Sequence, residues 1–361
     1  MSLSEMDKNV TAQQITEGGR VYYTIPHSSF SLFGISYEQK SSCFVRMPTA
    51  AAEKVSEGIA SVYSKQTSGG RLCFSTDSAS LQISVTYSKI STPYTNMPLT
   101  GSSGFSLLEK TAVGQKCVAS LVPKSTDGQG FVAETALQGG KMRTYILYFP
   151  LCNDVKTLTI ALDENAKVER SDPYRAELPI LYYGSSITQG NGAARPDSNY
   201  QALISKWNGI NYINLGFNGS AKAEDGMVDY LAGIDCSLFV CDYDHNAPTA
   251  EYLKNTHFRL YKRYRKVQPN TPILFISKPD ITNDIEGEER LKIIKSTYLK
   301  AKRSGDNNVY FLSGKSFYGA KNRWDFSADG CHPTDLGFYK MANTIYKKMI
   351  SIDRKFGGIV F

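Results

Sequence analysis

The side chains best placed for chemistry lie in two short stretches far apart in the chain. Gly184-Ser185-Ser186-Ile187-Thr188-Gln189-Gly190 puts a serine directly after the apolar run 179–183. Asp329-Gly330-Cys331-His332-Pro333 puts a carboxylate three residues before an imidazole, at the start of the last helical pattern, which Pro333 is expected to open. A glycine-rich strand-to-helix turn can expose a hydroxyl and aim nearby backbone N–H groups at a developing negative charge. A carboxylate three positions before a histidine can reach the ring across a turn and fix its tautomer. The histidine can then take the serine proton and return it to a leaving group. Together these residues supply a nucleophile, a general base and a group that orients the base, which is the equipment for acyl transfer to water.

Two rival motifs fail at the residue level. The nucleophile elbow Gly-x-Ser-x-Gly needs glycine where Thr188 stands. A phosphate-binding loop needs Gly-Lys-Ser/Thr, but Gly190 is followed by Asn191 and Gly192. A bare Gly-x-Ser is common in loops, so the weight of the reading comes from the pairing with Asp329 and His332. Two further loops carry donors suited to an oxyanion. Asn214-Leu215-Gly216-Phe217-Asn218-Gly219-Ser220 offers glycine N–H groups, and Asp242-Tyr243-Asp244-His245-Asn246 offers a side-chain amide. Asn218-Gly219-Ser220 also matches a glycosylation acceptor, a frequent chance match.

The elements that must position these groups change character near residue 175. Before it, short period-2 runs dominate: 81–87 and 158–162 alternate cleanly, and 20–25, 43–47, 59–65, 71–75, 117–122 and 143–149 read as further strands, with a helical turn around 50–56. Turn signals such as Ser68-Gly69-Gly70, Asp127-Gly128 and Gly139-Gly140 separate them, and the pattern predicts an antiparallel β-sandwich. After Arg170-Ser171-Asp172-Pro173, compact apolar runs at 179–183, 212–215, 237–241, 273–276 and 309–312 alternate with amphipathic stretches at 200–207, 225–231, 250–267, 285–303 and 334–350. That alternation predicts a five-stranded parallel sheet with helices on both faces. Ligand sites of such sheets lie at the carboxyl ends of the strands, where Ser186 falls. The expected division is therefore a sandwich over 1–175 and an α/β domain over 176–361.

Bulk properties exclude several classes. A chain of 361 residues that is 41% hydrophobic and 21% charged can bury two ordinary cores. No apolar run approaches the roughly 18 residues that span a bilayer, so no membrane span is expected. The net charge of +7 is dispersed, and its densest run, 261–266, lies in a helical pattern as a solvated face. No nucleic-acid partner is expected. The seven cysteines form no Cys-x-x-Cys and no cluster with histidine, which argues against zinc or redox chemistry. The 23 tyrosines would suit sugar stacking but suit core packing better.

In the order Ser, Gly, Asn and Asp-x-x-His, the four blocks resemble the SGNH hydrolase (GDSL-type esterase/lipase) superfamily, over roughly 176–361. Gly184 to Gly190 with Arg195-Pro196, Asn214 to Phe217, and Asp329 to Pro333 with Leu336-Gly337 are most similar to a branch that carries an N-terminal β-sandwich. The resemblance implies a three-layer α/β/α, flavodoxin-like catalytic domain preceded by a jelly-roll-like sandwich. It implies Ser186 as nucleophile, Asp329 and His332 as its partners, and Ser186 N–H, Gly219 N–H and Asn246 as the oxyanion hole. It implies no metal and no organic cofactor. Two positions depart from the pattern: Ser185 replaces the usual aspartate, and Asp244-His245-Asn246-Ala247 stands in place of Gly-x-Asn-Asp. Arg195 and His245 are expected on the substrate rim. The expected substrate is a small acyl ester, foremost an acetyl ester of a carbohydrate. A lipase or thioesterase acting on longer chains is the alternative, and a silent carbohydrate-binding protein a more distant one. A polysaccharide substrate would fit a secreted or periplasmic protein whose leader has been trimmed.

Overall fold

Alternation of apolar and polar residues between 20 and 163 folds into two packed antiparallel sheets. The computed structural model describes residues 14–92, 95–280 and 284–357. One sheet runs Gln14–Glu17, Arg20–Thr24, Thr157–Asp163, Ser80–Thr86, Gly130–Ala136 in spatial order. The other runs Val168–Arg170, Arg71–Thr76, Arg143–Tyr148, Phe105–Thr111, Gly114–Leu121, with Ser31–Phe33 also pairing Arg71–Thr76. Between them lies a core of Leu81, Ile83, Val85, Leu158, Ile160 and Leu162 from the first sheet against Leu72, Phe74, Phe105, Leu107, Tyr145 and Leu147 from the second. The period-2 pattern of Leu81, Ile83 and Val85 is therefore a direct record of which face is buried.

The second sheet is apolar on both sides. Its outer face, Cys73, Leu108, Ile146 and Tyr148, packs into a second core together with residues of the C-terminal half. This explains why 143–149 reads as a continuous apolar run rather than an alternating one.

The C-terminal half is a five-stranded parallel sheet: β1 Ile180–Gly184, β2 Tyr212–Gly216, β3 Leu238–Asp242, β4 Ile273–Ile276 and β5 Val309–Leu312, in the order β2-β1-β3-β4-β5. Its helices are α1 Ser186–Gln189, α2 Tyr200–Asn208, α3 Asp225–Ala232, α4 Ala250–Val267, α5 Ile285–Arg303, α6 Lys315–Tyr318 and α7 Asp335–Ile352. Alternate strand residues serve opposite layers. Ile180, Tyr182, Tyr212, Val240 and Leu274 face α2 and α7 through Tyr200, Phe338, Met341 and Ile345. Leu181, Tyr183, Leu215, Phe239 and Phe275 face α3, α4 and α5 through Met227, Leu231, Leu253, Tyr264 and Ile294.

The two halves are joined by buried arginines as well as by apolar contact. Arg46 donates to the carbonyls of Tyr63 at 2.7 Å, Gly216 at 2.7 Å and Asn214 at 3.2 Å, and also to that of Gln66. Arg71 donates to Tyr174 OH at 2.8 Å and to the carbonyl of Tyr212, and lies 3.9 Å over the Tyr212 ring. Both arginines of the first half thus seize the backbone of β2.

Three details differ from the sequence expectation. Residues 59–65, expected as a strand, begin with a π-helical turn, Ile59–Tyr63, in which only Ile59 is buried. Strand Phe105–Thr111 gives no alternating signal because five consecutive residues are buried, and Gly130–Ala136 gives none because no residue of it is fully buried. Pro333 precedes the last helix rather than opening it. It bridges Ser327 in an isolated antiparallel pair, and Thr334 caps α7 by accepting the Gly337 N–H at 3.3 Å.

Candidate active site

The β1–α1 turn is set by glycine and by a buried acid. A methyl group on Gly184 would overlap Asp242 Oδ1 and Thr188 Oγ1, so only glycine lets β1 end there. Ser185 caps α1, its hydroxyl accepting Ile187 N–H at 3.2 Å, and Ser186 is the first helical residue. Asp242, at the end of the adjoining strand and in register with Gly184, accepts from Thr188 Oγ1 and from Tyr200 OH at 3.4 Å. Burial, with the like charge of Asp244, pushes the Asp242 carboxyl up to about 8 against the pull of those donors and of the Ser185 N–H.

Ser186 is itself buried, with its hydroxyl turned to the loop before α7. Its Oγ lies 2.9 Å from His332 Nε2. The other ring nitrogen, Nδ1, lies 2.7 Å from Asp329 Oδ2, while Asp329 Oδ1 accepts the backbone N–H groups of His332 at 2.7 Å and Cys331 at 2.9 Å. Partial burial opposes ionisation of Asp329, but the His332 N–H, the His332 ring and the Cys331 N–H outweigh it and hold the carboxyl below its ordinary range. A carboxylate can only accept, so Nδ1 carries the proton and Nε2 is left to accept from Ser186. Gly192 fits beneath this loop. A methyl group there would overlap the Pro333 carbonyl and lie 3.5 Å from His332 Cβ.

Gly219 has φ +64°, and the space where a β-carbon would stand holds no atom within 4 Å. Its loop is tied to the nucleophile turn by Phe217 N–H to Gly184 O at 2.9 Å and by Asn218 N–H to Gln189 Oε1 at 3.0 Å. Asn246 closes a short 3₁₀ turn, Asp244–Asn246, after β3, and its Oδ1 accepts Ala221 N–H at 3.4 Å. That contact joins the two proposed oxyanion loops. Asp244 anchors the turn from beneath: its carboxylate accepts Lys278 N–H at 3.1 Å, and Arg290 donates to the Asp244 and Ala247 carbonyls. Burial raises the Asp244 carboxyl to about 6.

The rim expectations receive different placements. His245 is half-buried, with Nε2 2.9 Å from Cys331 Sγ. Burial, then the charges of Lys278, His332 and Arg290, push it down to about 4, so the ring is neutral. Arg195 pairs with Asp197, at 3.2 Å, and reaches Cys117 Sγ, at 3.1 Å, on the sandwich. One contact of Asp329 had no sequence signal: Asn96 of the N-terminal half donates its side-chain N–H to Asp329 Oδ2 at 3.0 Å. It lies in a loop without motif or periodicity. Among the described residues no group of three His, Cys, Asp or Glu side chains is placed to hold a metal ion, and no helix is long and apolar enough to cross a membrane. All seven cysteines are free.

Comparison with known proteins accords with this geometry. Residues 177–351 match the GDSL-like lipase/acylhydrolase family, and residues 21–168 match the domain described as the N-terminus of SGNH-hydrolase-type esterases. The chain belongs to the SGNH hydrolase (GDSL-type) superfamily. It is a serine esterase by that membership, an acylhydrolase of the SGNH type. No curated protein matches the sequence. Among solved structures, a protein of Bacteroides ovatus described as a GDSL-like lipase is 23% identical, with TM-score 0.83, over 92% of this chain and 98% of that one. A salicylyl-acyltransferase from a tetracycline biosynthetic pathway is 17% identical, with TM-score 0.76, over 93% and 98%. A family two carbohydrate esterase from Cellvibrio japonicus is 13% identical, with TM-score 0.62, over 93% and 99%. At these identities the similarity establishes the SGNH fold, with the sandwich and the parallel sheet held in common.

Proposed function

We propose that this SGNH hydrolase removes small acyl groups, foremost acetyl, from a carbohydrate, with Ser186, His332 and Asp329 as its catalytic triad. Ser186 Oγ attacks the ester carbonyl carbon as His332 Nε2 takes the hydroxyl proton. The resulting oxyanion is met by the N–H groups of Ser186 and Gly219 and by the side-chain amide of Asn246. Collapse breaks the bond to the sugar oxygen, which leaves with the proton from His332. Water then attacks the acyl-enzyme as His332 takes its proton, and collapse breaks the bond to Ser186 Oγ, which regains a proton from His332 as the acyl group leaves as the acid.

The observation that carries this reading is the 2.9 Å contact between Ser186 Oγ and His332 Nε2, continued at 2.7 Å to Asp329. The open space beside Gly219 and the anchoring of Asn246 Oδ1, which leaves Nδ2 to donate, agree with it. The carbohydrate part rests on similarity in both halves to two enzymes. They are the family two carbohydrate esterase above and an acetyl xylan esterase from Butyrivibrio proteoclasticus, which is 13% identical, with TM-score 0.62, over 94% of this chain. We place the division between the sandwich and the hydrolase unit near residue 175.

A chromogenic ester series from acetate to palmitate tests the acyl preference. Turnover greatest on acetate and falling with chain length is the expected result. Best turnover on long chains would replace the acetyl assignment with a lipase or thioesterase. Release of acetate from a panel of acetylated glycans then identifies the sugar.

A further inference from the structure

We propose that Asn96, a residue of the N-terminal sandwich, is a positioning residue for ester hydrolysis. By holding Asp329 it makes the sandwich part of the catalytic apparatus. The inference rests on the triad reading above. Asn96 Nδ2 lies 3.0 Å from Asp329 Oδ2, the same oxygen that accepts His332 Nδ1–H at 2.7 Å. The other oxygen is taken by the backbone N–H groups of Cys331 and His332. The loop carrying Asp329 thus supplies donors for one side of the carboxylate. On the other, the outermost donor comes from a different part of the chain.

Two features argue that this amide is there for the carboxylate. First, Asn96 Oδ1 is buried without a hydrogen-bond partner. Burying an unpaired acceptor is unfavourable, and a purely structural position would be better filled by an apolar side chain. The amide pays that desolvation for its N–H. Against an ionised carboxylate only the N–H end can face Asp329, so the orientation follows from charge. Second, the segment that follows Asn96 is anchored in the shared core and against residues 193–194. Met97 is buried in the core shared by the two halves, with its sulfur 3.4 Å from Cys152 Sγ. Thr100 Oγ1 donates to Ala194 O at 2.5 Å, and Gly101 packs against the Ala193 carbonyl with no room for a β-carbon. Residues 193–194 follow Gly192, which fits beneath Pro333 and His332. A single stretch of sandwich, 96–101, therefore touches both the loop behind the nucleophile and the loop that carries the acid.

The Asp329 side chain is 39% exposed, so the backbone N–H groups on one oxygen do not by themselves keep water from competing for the other. A fixed neutral donor there restricts the carboxylate to the plane that meets Nδ1. Because Asn96 acts through Asp329, its loss should lower the rate of the chemical steps and spare ester binding.

The test compares the full chain with its Ser186→Ala, Asn96→Ala and Asn96→Asp variants on a chromogenic acetate ester, recording kcat, KM, the pH profile and thermal unfolding. Asn96→Ala is expected to lose on the order of 10-fold in kcat, the worth of one hydrogen bond to a charged group, with KM and melting nearly unchanged. Asn96→Asp keeps the size and shape but sets a second carboxylate against Asp329. Its extra negative charge favours the protonated ring of His332, so the acidic limb of kcat/KM should move to higher pH. If Asn96→Ala unfolds, the shift in Asn96→Asp carries the test alone. Wild-type kcat and an unmoved pH profile in the Asn96 variants, with Ser186→Ala inactive, would overturn this inference and leave the triad standing. Full turnover by Ser186→Ala would overturn the triad and the role of Asn96 with it.

Discussion

In the proposed triad, Ser186 can give up its proton only if His332 presents a bare Nε2, and Asp329, 2.7 Å from Nδ1, is the group assigned to keep the ring proton there. Replacing Asp329 with asparagine would allow the amide to face Nδ1 with its oxygen or its N–H, and the wrong tautomer would turn Nε2 into a donor. We expect Asp329→Asn to lose roughly 10³–10⁴-fold in kcat at neutral pH, with KM for a short ester little altered, as steady-state kinetics would show. Asn246→Ala should cost about 10²–10³-fold in kcat if Nδ2 meets the oxyanion, and a loss confined to KM would remove that role. These residues were legible in the sequence because their chemistry is local: Asp329 and His332 lie three positions apart, and Ser186 follows an apolar strand. Asn96 was not, since it meets Asp329 from 233 positions away along the chain, in a loop that carries no pattern. His245 was legible as a neighbour of the site but not in its setting. A contact with Cys331 and burial beside Lys278 depend on packing that spacing does not reveal.

At the scale of elements, the strand-to-helix turns are where the chain has least freedom. Gly184→Ala would drive a methyl group into Asp242 and Thr188, so β1 could not end in register with β3. The variant should lose both activity and thermal stability, the latter by several degrees in Tm, and an active protein melting like wild type would contradict this account of the turn. Asp242 also gives the fold a pH signature. Its carboxyl is raised from 3.8 to about 8, so between those values the folded state binds more protons than the unfolded one. Stability from this source is greatest at low pH and is lost as pH rises through about 8. His245 and His257, lowered from 6.5 to about 4 and about 3, act in the opposite sense, and their contribution is lost as pH falls below 6.5. Melting curves of wild type and Asp242→Asn should therefore converge as pH falls from 8 toward 4 and separate, with the variant the more stable, as it rises. Constant separation would rule out a titrating Asp242. The parallel strands and long helices were legible because buried runs and amphipathic stretches alternate cleanly from 179 onward. The sandwich was less so: 105–109 is buried on both faces, and 59–63 turns helical where its apolar residues suggested a strand.

For the whole molecule, the two halves share one core and two buried arginines. Ile146 and Tyr148 of the sandwich pack with Tyr182 and Tyr212 of the parallel sheet, while Arg46 and Arg71 bind the backbone of β2. Sequence showed a change of pattern near 175 and so suggested separable units. Nothing in composition distinguishes an arginine that binds buried carbonyls from one that faces water. Arg46→Met would leave buried carbonyls of both halves unpaired, and a loss of about 3 kcal/mol or more in unfolding free energy is expected from denaturant titration. A loss below about 1 kcal/mol would mean that the junction is held by apolar packing alone. The most direct test of the central claim is to treat the full chain with an organophosphonate and locate the adduct by peptide mass spectrometry while ester turnover is followed. The account predicts one adduct, on Ser186, formed in step with loss of turnover and absent from the His332→Ala variant. Turnover that persists with Ser186 unlabelled, or disappears with the adduct on another residue, would contradict it.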